Sequence, residues 1–198
     1  MSRFIETILA ENGIVSPLEY HQERVDRTLR DWDATLRLDL REALESVAVP
    51  PFEKSKIRVE YGVGGLECIQ VSEYRIKNIQ SIGLAAIGDR EYRYKYADRE
   101  WIYSLVGDSG CDEVVMVKDG FVTDASIANL AFYDGRQWIT PDTPLLSGTR
   151  RRYLLDAGVL HEAPVRIEDI RRFTKIRLVN AMIPWDESPD LPIGIVMG

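Results

Sequence analysis

A change of hydrophobic period along the chain constrains its fold more than any other feature. Between residues 18 and 47 apolar side chains recur at three- and four-residue spacing. From Ile57 onward the spacing drops to two, or to short apolar blocks: IRVEYGV, LECIQVS, IGLAAI, EVVMV, ANLAFY, QWIT and IRLVNAMI. Asp119-Gly120 and Asp134-Gly135 supply the side chains that hairpin turns favour, and GVGG at 62–65 reads as the turn between the first two of these strands. Its glycines do not follow the dinucleotide-loop spacing, and no helical pattern comes after them. Helices gathered early and strands gathered late predict an α+β chain rather than a regular βαβ alternation.

The helical signal is clearest over residues 16–32. RFIETILAENG reads as a strand that ends in a turn at Asn12-Gly13, and SPLEYHQERVDRTLRDW follows it. Ser16 is expected as the N-cap, with Pro17 at the first helical position and Glu19 closing a capping box. Leu18, His21, Val25, Leu29 and Trp32 then form one stripe, with Arg24 on its edge. A second helix is expected over about 38–47, stopping before Pro50-Pro51, and a third over 149–157, entered through Ser147-Gly148 and ending near Gly158.

A chain of 198 residues, 45% hydrophobic and 29% charged, can bury a core without disulfide or metal staples. Its net charge of -7 argues against sequence-independent nucleic-acid binding, which needs a surplus of cations on some face. No apolar run approaches the about 18 residues of a membrane span. Two cysteines without a signal peptide predict a cytoplasmic setting, and the two histidines lack partners at metal-ligand spacing, so no metal is expected. The GxSxG and HExxH hydrolase signatures are absent.

Three polar clusters carry the candidate chemistry. In YRYKYADREW, alternation on an extended segment puts Tyr92, Tyr94 and Tyr96 on one side and Arg93 and Lys95 on the other, with Asp98 capping the helix that follows. Lys95 is either a solvated surface amine or, with burial and Arg93 lowering its pKa, a nucleophile. SGTRRR at 147–152 opens a helix on three cations; it is a phosphate site or a basic face meeting only water. Asp124 in VTDASIAN is an Asx turn or cap on the bland reading. Arg24 either snorkels to solvent or reaches an anion, and His21 is expected in the core.

Taken in order, FIET at 4–7, HQER at 21–24, KYADR at 95–99, VTDASIANL at 122–130, ITP at 139–141, LLSGTRR at 145–151 and NAMIP at 180–184 resemble the class IV, or fold-type IV, pyridoxal-phosphate enzymes. That family includes branched-chain and D-amino-acid aminotransferases and 4-amino-4-deoxychorismate lyase. The resemblance implies a two-domain α+β fold, with a small N-terminal domain over 1–72, a larger domain over 76–198 that carries the lysine, and the cofactor between them. It also implies that Lys95 carries pyridoxal 5'-phosphate as a Schiff base and moves the substrate's α-proton. Arg24, Gly148, Thr149 and Arg150 would hold the phosphate, Asn180 and Ala181 would border it, and Asp124 would face the pyridine nitrogen.

Departures from the family pattern fall at the same places. Asp124 stands where the family has glutamate, Glu100 where its aminotransferases have tyrosine, and Arg150 where they have threonine. Counterparts of the N-terminal strands and glycine-rich lead-in are absent, which implies a shortened small domain. KYADR and NAMIP lie nearer the lyase pattern, which points to release of pyruvate and 4-aminobenzoate. Amino-acid transamination, and a non-catalytic protein that keeps the fold, are the alternatives. The resemblance further implies a homodimer acting on an amino-acid or aminodeoxychorismate-like small molecule.

Overall fold

The structure, a computed structural model, describes residues 2–197 and divides into two compact units. One comprises Met1–Ile76 with Tyr94–Asp98, the other Lys77–Arg93 with Arg99–Gly198.

The first unit is an antiparallel sheet backed by a helix. Strand β1 (Arg3–Glu11) turns at Asn12-Gly13, where both residues have positive φ, into β2 (Ile14–Val15). Those φ values are what a two-residue primed hairpin turn requires. Helix α1 (Glu19–Asp31) and the short α2 (Leu40–Leu44) precede β3 (Lys54–Gly62) and β4 (Gly65–Glu73). The sheet order is β2-β1-β3-β4, with β1 paired to β3 from Arg3↔Gly62 to Glu11↔Lys54. Phe4, Ile8, Val25, Leu29, Leu40, Ile57, Val59 and Tyr61 fill its core.

Three expectations are corrected here. Helix α1 starts at Glu19, not after a Ser16 cap, because the Ser16 N–H donates to Leu9 O (2.9 Å) and prolongs the hairpin. Helix α2 is five residues long. Asp39 caps it by accepting from the Arg41 and Glu42 N–H groups, and beyond Leu44 the bonds tighten to three-residue spacing.

The third concerns residues 92–96, which form no strand. The Tyr96 N–H donates to Tyr94 O (2.9 Å), a tight turn that breaks the alternation, and a single bridge pairs Tyr96 with Phe4. The Ile5 N–H donates to Lys95 O (2.9 Å) and the Ala97 N–H to Arg3 O (2.8 Å). Lys95 was expected on the larger domain; these β1 bonds tie it to the first unit. Tyr94 and Tyr96 pack on Phe4, with ring centroids 6.0 and 5.5 Å away, while Tyr92 packs on Trp101 in the second unit.

The second unit holds two sheets. Its elements are β5 (Ile82–Ala86), α3 (Glu100–Ser109), β6 (Glu113–Lys118), β7 (Phe121–Ala125), β8 (Asn129–Tyr133), β9 (Trp138–Pro141), α4 (Thr149–Asp156), β10 (Leu160–Ala163), β11 (Lys175–Val179), β12 (Leu191–Pro192) and β13 (Val196–Met197). Sheet orders are β13-β5-β6-β7 and β10-β9-β8-β11-β12. The sheets are mixed: β6–β7, β8–β9, β8–β11 and β11–β12 run antiparallel, β13–β5 is parallel, and β5–α3–β6 and β9–α4–β10 are parallel crossovers. Val115, Val117, Val122, Leu130, Phe132, Ile176 and Leu178 form the main core. The cap position of α3 falls on Arg99 rather than Asp98, and its side chain makes no cap bond. Among the described residues no helix is long and apolar enough to cross a membrane, and none group as a metal-ligand cluster.

Candidate active site

In the first unit, two adjacent residues of β1 hold two of the expected site residues. Ile5 ties down the Lys95 backbone, and the Glu6 side chain takes Arg24. Glu6 is fully buried, and Arg24 is only 5% exposed, so the snorkelling reading of Arg24 is overturned. The guanidinium donates from Nε to Glu6 Oε1 (2.8 Å) and from Nη2 to Oε2 (2.5 Å), a two-point fork. His21 Nδ1 lies 2.6 Å from the same Oε2.

Helical spacing explains the convergence: His21 and Arg24 are three residues apart on α1, so they share the face laid against β1. Burial alone would raise the Glu6 carboxyl, but the Arg24 charge and the hydrogen bonds from His21 and Arg24 prevail and bring it down to about 2. Tyr61 sits in the same enclosure. Burial and the Glu6 charge push its hydroxyl well above the usual range, despite a hydrogen bond with Thr28.

In the second unit, Asp124 near the end of β7 is buried and accepts a hydrogen bond at each carboxyl oxygen. Asn129 Nδ2 donates to Oδ1 (2.6 Å) and the Leu146 N–H to Oδ2 (2.9 Å). The same Asn129 amide also donates to Leu146 O (2.8 Å), so Asn129 fastens the loop that leads into α4. Burial pushes the Asp124 carboxyl up to about 6, against the pull of these donors and of the Arg151 charge.

Gly148 caps α4, and an added Cβ there would lie 2.0 Å from Asn129 Oδ1. Only glycine fits while Asn129 keeps its bonds. Thr149 is buried at the first turn. Arg150 Nη2 reaches Ala181 O (3.4 Å), and Asn180 Oδ1 accepts from the Met182 N–H (3.0 Å), so the 180–181 turn is tied to the start of α4.

The three cations of SGTRRR have separate employment. Arg151 is buried against Thr140 Oγ1, Pro141 O and Glu162 (2.5 Å), and serves the β9–α4–β10 crossover. Arg152 pairs with Asp156 at the surface. Arg150 bonds to the turn at 180–181.

The family model described as amino-transferase class IV matches residues 93–185, the stretch that contains Lys95, Asp124, Gly148 to Arg150, and Asn180-Ala181. A solved structure from Haemophilus somnus, named "putative 4-amino-4-deoxychorismate lyase", superposes with a TM-score of 0.82 at 30% identity, covering 92% of this chain and 97% of that one. The chain belongs to the class IV aminotransferase family.

Two further likenesses extend along most of this class IV chain. A Haemophilus influenzae relative, named "Uncharacterized protein", is 37% identical over 186 residues, 92% of this chain and 98% of its own. A hypothetical aminotransferase of Mycobacterium tuberculosis in its PLP-bound form shares the fold, with a TM-score of 0.74 at 18% identity, covering 96% of this chain and 80% of that one.

Two residues escaped the sequence reading. On the alternating face of β1 Glu6 stands between Phe4 and Ile8, and a glutamate on such an apolar face has to find a buried partner; that was the available signal for Glu6. Asn129 left no comparable trace, because its partners are set by the fold of the 124–148 segment.

Proposed function

We propose that this class IV chain is a pyridoxal-phosphate-dependent lyase that releases pyruvate from 4-amino-4-deoxychorismate or a close analogue. The observation that carries the reading is its likeness, at 30% identity over 92% of this chain and 97% of the other, to the Haemophilus somnus chain bearing that lyase name. The donor set suits the cofactor on its own chemistry. Lys95 offers an amine on a backbone pinned by Ile5, Arg24 and Arg150 offer cations, and the α4 N-terminus offers N–H groups that favour a phosphate. Asp124, a buried carboxyl held at about 6, suits a ring nitrogen that carries a proton.

Pyridoxal phosphate, when bound, supplies an electron sink for the substrate carbon that loses its proton. In this reading Lys95 takes that proton from the carbon bearing the amino group. The ring C–O bond then breaks, its electrons leave with the enolpyruvyl oxygen, and a proton returned to the enol gives pyruvate while the ring becomes aromatic. Asp124 would keep the proton on the ring nitrogen, Arg24, Thr149 and Arg150 would be the residues that hold the phosphate, and the 180–181 turn, tied to Arg150, would border it.

The family's description favours a second reading, amino-acid transamination, which would use the same lysine and the same proton abstraction. A homodimer working in the cytoplasm belongs to either reading.

The test begins with the cofactor. Protein incubated with pyridoxal phosphate should show a visible absorption band, and after borohydride reduction peptide mass spectrometry should find the pyridoxyl group on Lys95. A Lys95→Ala variant should show neither. Labelling elsewhere, or none, rejects the reading. Pyruvate release from 4-amino-4-deoxychorismate, measured beside keto-acid exchange with amino acids, then separates lyase from transaminase.

A further inference from the structure

We infer that Glu6 is a positioning residue that holds the Arg24 guanidinium in the orientation needed to bind the cofactor's phosphate. The inference rests on the function proposed above in taking Arg24 as a phosphate ligand, and it adds a residue and a cause.

An arginine side chain has many rotamers, and an anion that must first order it binds more weakly than one that meets it in place. Here two of the five guanidinium N–H donors are spent on the two oxygens of one carboxylate. Two parallel bonds fix the plane of the group as well as its position. The carboxylate is itself held, since Glu6 stands on the central strand β1, paired across to Val59, and His21 bonds its Oε2.

The three groups come from two rigid elements, β1 and α1, and none is exposed beyond 5%. Ile5, next to Glu6, takes the Lys95 carbonyl. One dipeptide of β1 therefore sets both the phosphate cation and the lysine backbone.

The alternative role for Glu6 is charge compensation, and the two roles predict opposite outcomes. Glu6 carries a negative charge beside a group that must attract phosphate. If it only compensated charge, replacing it with a neutral residue would strengthen phosphate binding. If it positions Arg24, the same replacement weakens it. In a Glu6→Gln variant the amide keeps one acceptor but turns an NH2 toward a guanidinium or imidazole donor, so the fork is lost.

The experiment titrates apo protein with pyridoxal phosphate and with pyridoxal, following tryptophan fluorescence, and takes the ratio of the two dissociation constants. That ratio isolates the phosphate, and a fraction of misfolded protein lowers the amplitude of both titrations without moving it. Wild type should prefer the phosphorylated form, and Arg24→Ala should lose most of that preference. Glu6→Gln should lose roughly tenfold of it. Glu6→Asp, which keeps the charge but is too short for the fork, should lose part; it serves as the folded variant if Glu6→Gln does not fold.

A wild-type protein with no preference, or an Arg24→Ala variant that keeps it, removes the phosphate role of Arg24 and the inference with it. If Arg24→Ala loses the preference while Glu6→Gln and Glu6→Asp keep or increase it, the functional reading stands and positioning by Glu6 is refuted.

Discussion

Replacing Gly148 by alanine isolates the polar knot at the start of α4. The Gly148 backbone, at φ -72 and ψ 142, is open to any L-residue. On backbone grounds alone the substitution should stabilise the protein by about 0.4–1 kcal/mol, by restricting the unfolded chain. The new Cβ would lie 2.0 Å from Asn129 Oδ1, however, so Asn129 has to swing away. It then gives up its bonds to Asp124 and to Leu146 O, one to a buried carboxyl and one to a carbonyl. Losing a bond to a charged group together with a neutral one costs about 2–4 kcal/mol, which exceeds the backbone gain and leaves a net loss of about 1–4 kcal/mol, so the sign reverses.

The loss should also depend on pH. Asp124 in the folded protein titrates at about 6, above its usual 3.8, so the native state keeps a proton that the unfolded chain has released, and stability falls as pH rises through that window. Without the Asn129 donor the folded value moves higher still, and the extra loss appears at pH 8 rather than at pH 5. Urea unfolding at both pH values, followed by tryptophan fluorescence and far-UV circular dichroism, measures it. The background matters as well: in an Asn129→Ala protein, Gly148→Ala should become neutral or mildly stabilising. A loss under about 1 kcal/mol, or one equal in both backgrounds, would refute the argument.

The neighbouring arginines and Glu6 give two further expectations. Arg151→Ala should destabilise by about 3 kcal/mol, because the Thr140, Pro141 and Glu162 oxygens lose a buried donor, whereas Arg152→Ala, at a surface pair, should change stability by less than about 0.5 kcal/mol; thermal denaturation ranks the two. The Glu6 carboxyl, held at about 2 rather than 4.5, contributes about 3 kcal/mol that is fully present above pH 4.5 and fades as pH falls toward 2. The stability gap between wild type and Glu6→Gln should therefore narrow by that amount across the window, in urea titrations at successive pH values.

Local chemistry made much of this protein legible in its sequence. Asn12-Gly13, Asp119-Gly120 and Gly65 announce their turns because few residues tolerate positive φ, and the period-two blocks announce strands because side chains alternate across a sheet. The ordered motifs from FIET to NAMIP were enough to indicate the family. Strand β10 was not legible, since two of its four residues face solvent and its partner β9 lies across a helix. The Ser16 cap and the 92–96 strand failed for a related reason: backbone groups with good local prospects were claimed by β1, a partner distant in sequence in the second case.

The sequence by itself determined which residue types were available: a lysine among tyrosines, an arginine on an apolar stripe, a carboxylate after a strand, a glycine before three cations. Only the tertiary structure decided what each is bound to. It joined Arg24 to Glu6 across 18 residues and Asp124 to Leu146 across 22, and gave the three cations of SGTRRR three different tasks. Such pairings follow from desolvation. A charge enclosed by β1 and α1, or by β7 and the loop before α4, must find its partner inside, and the topology of the sheet selects that partner.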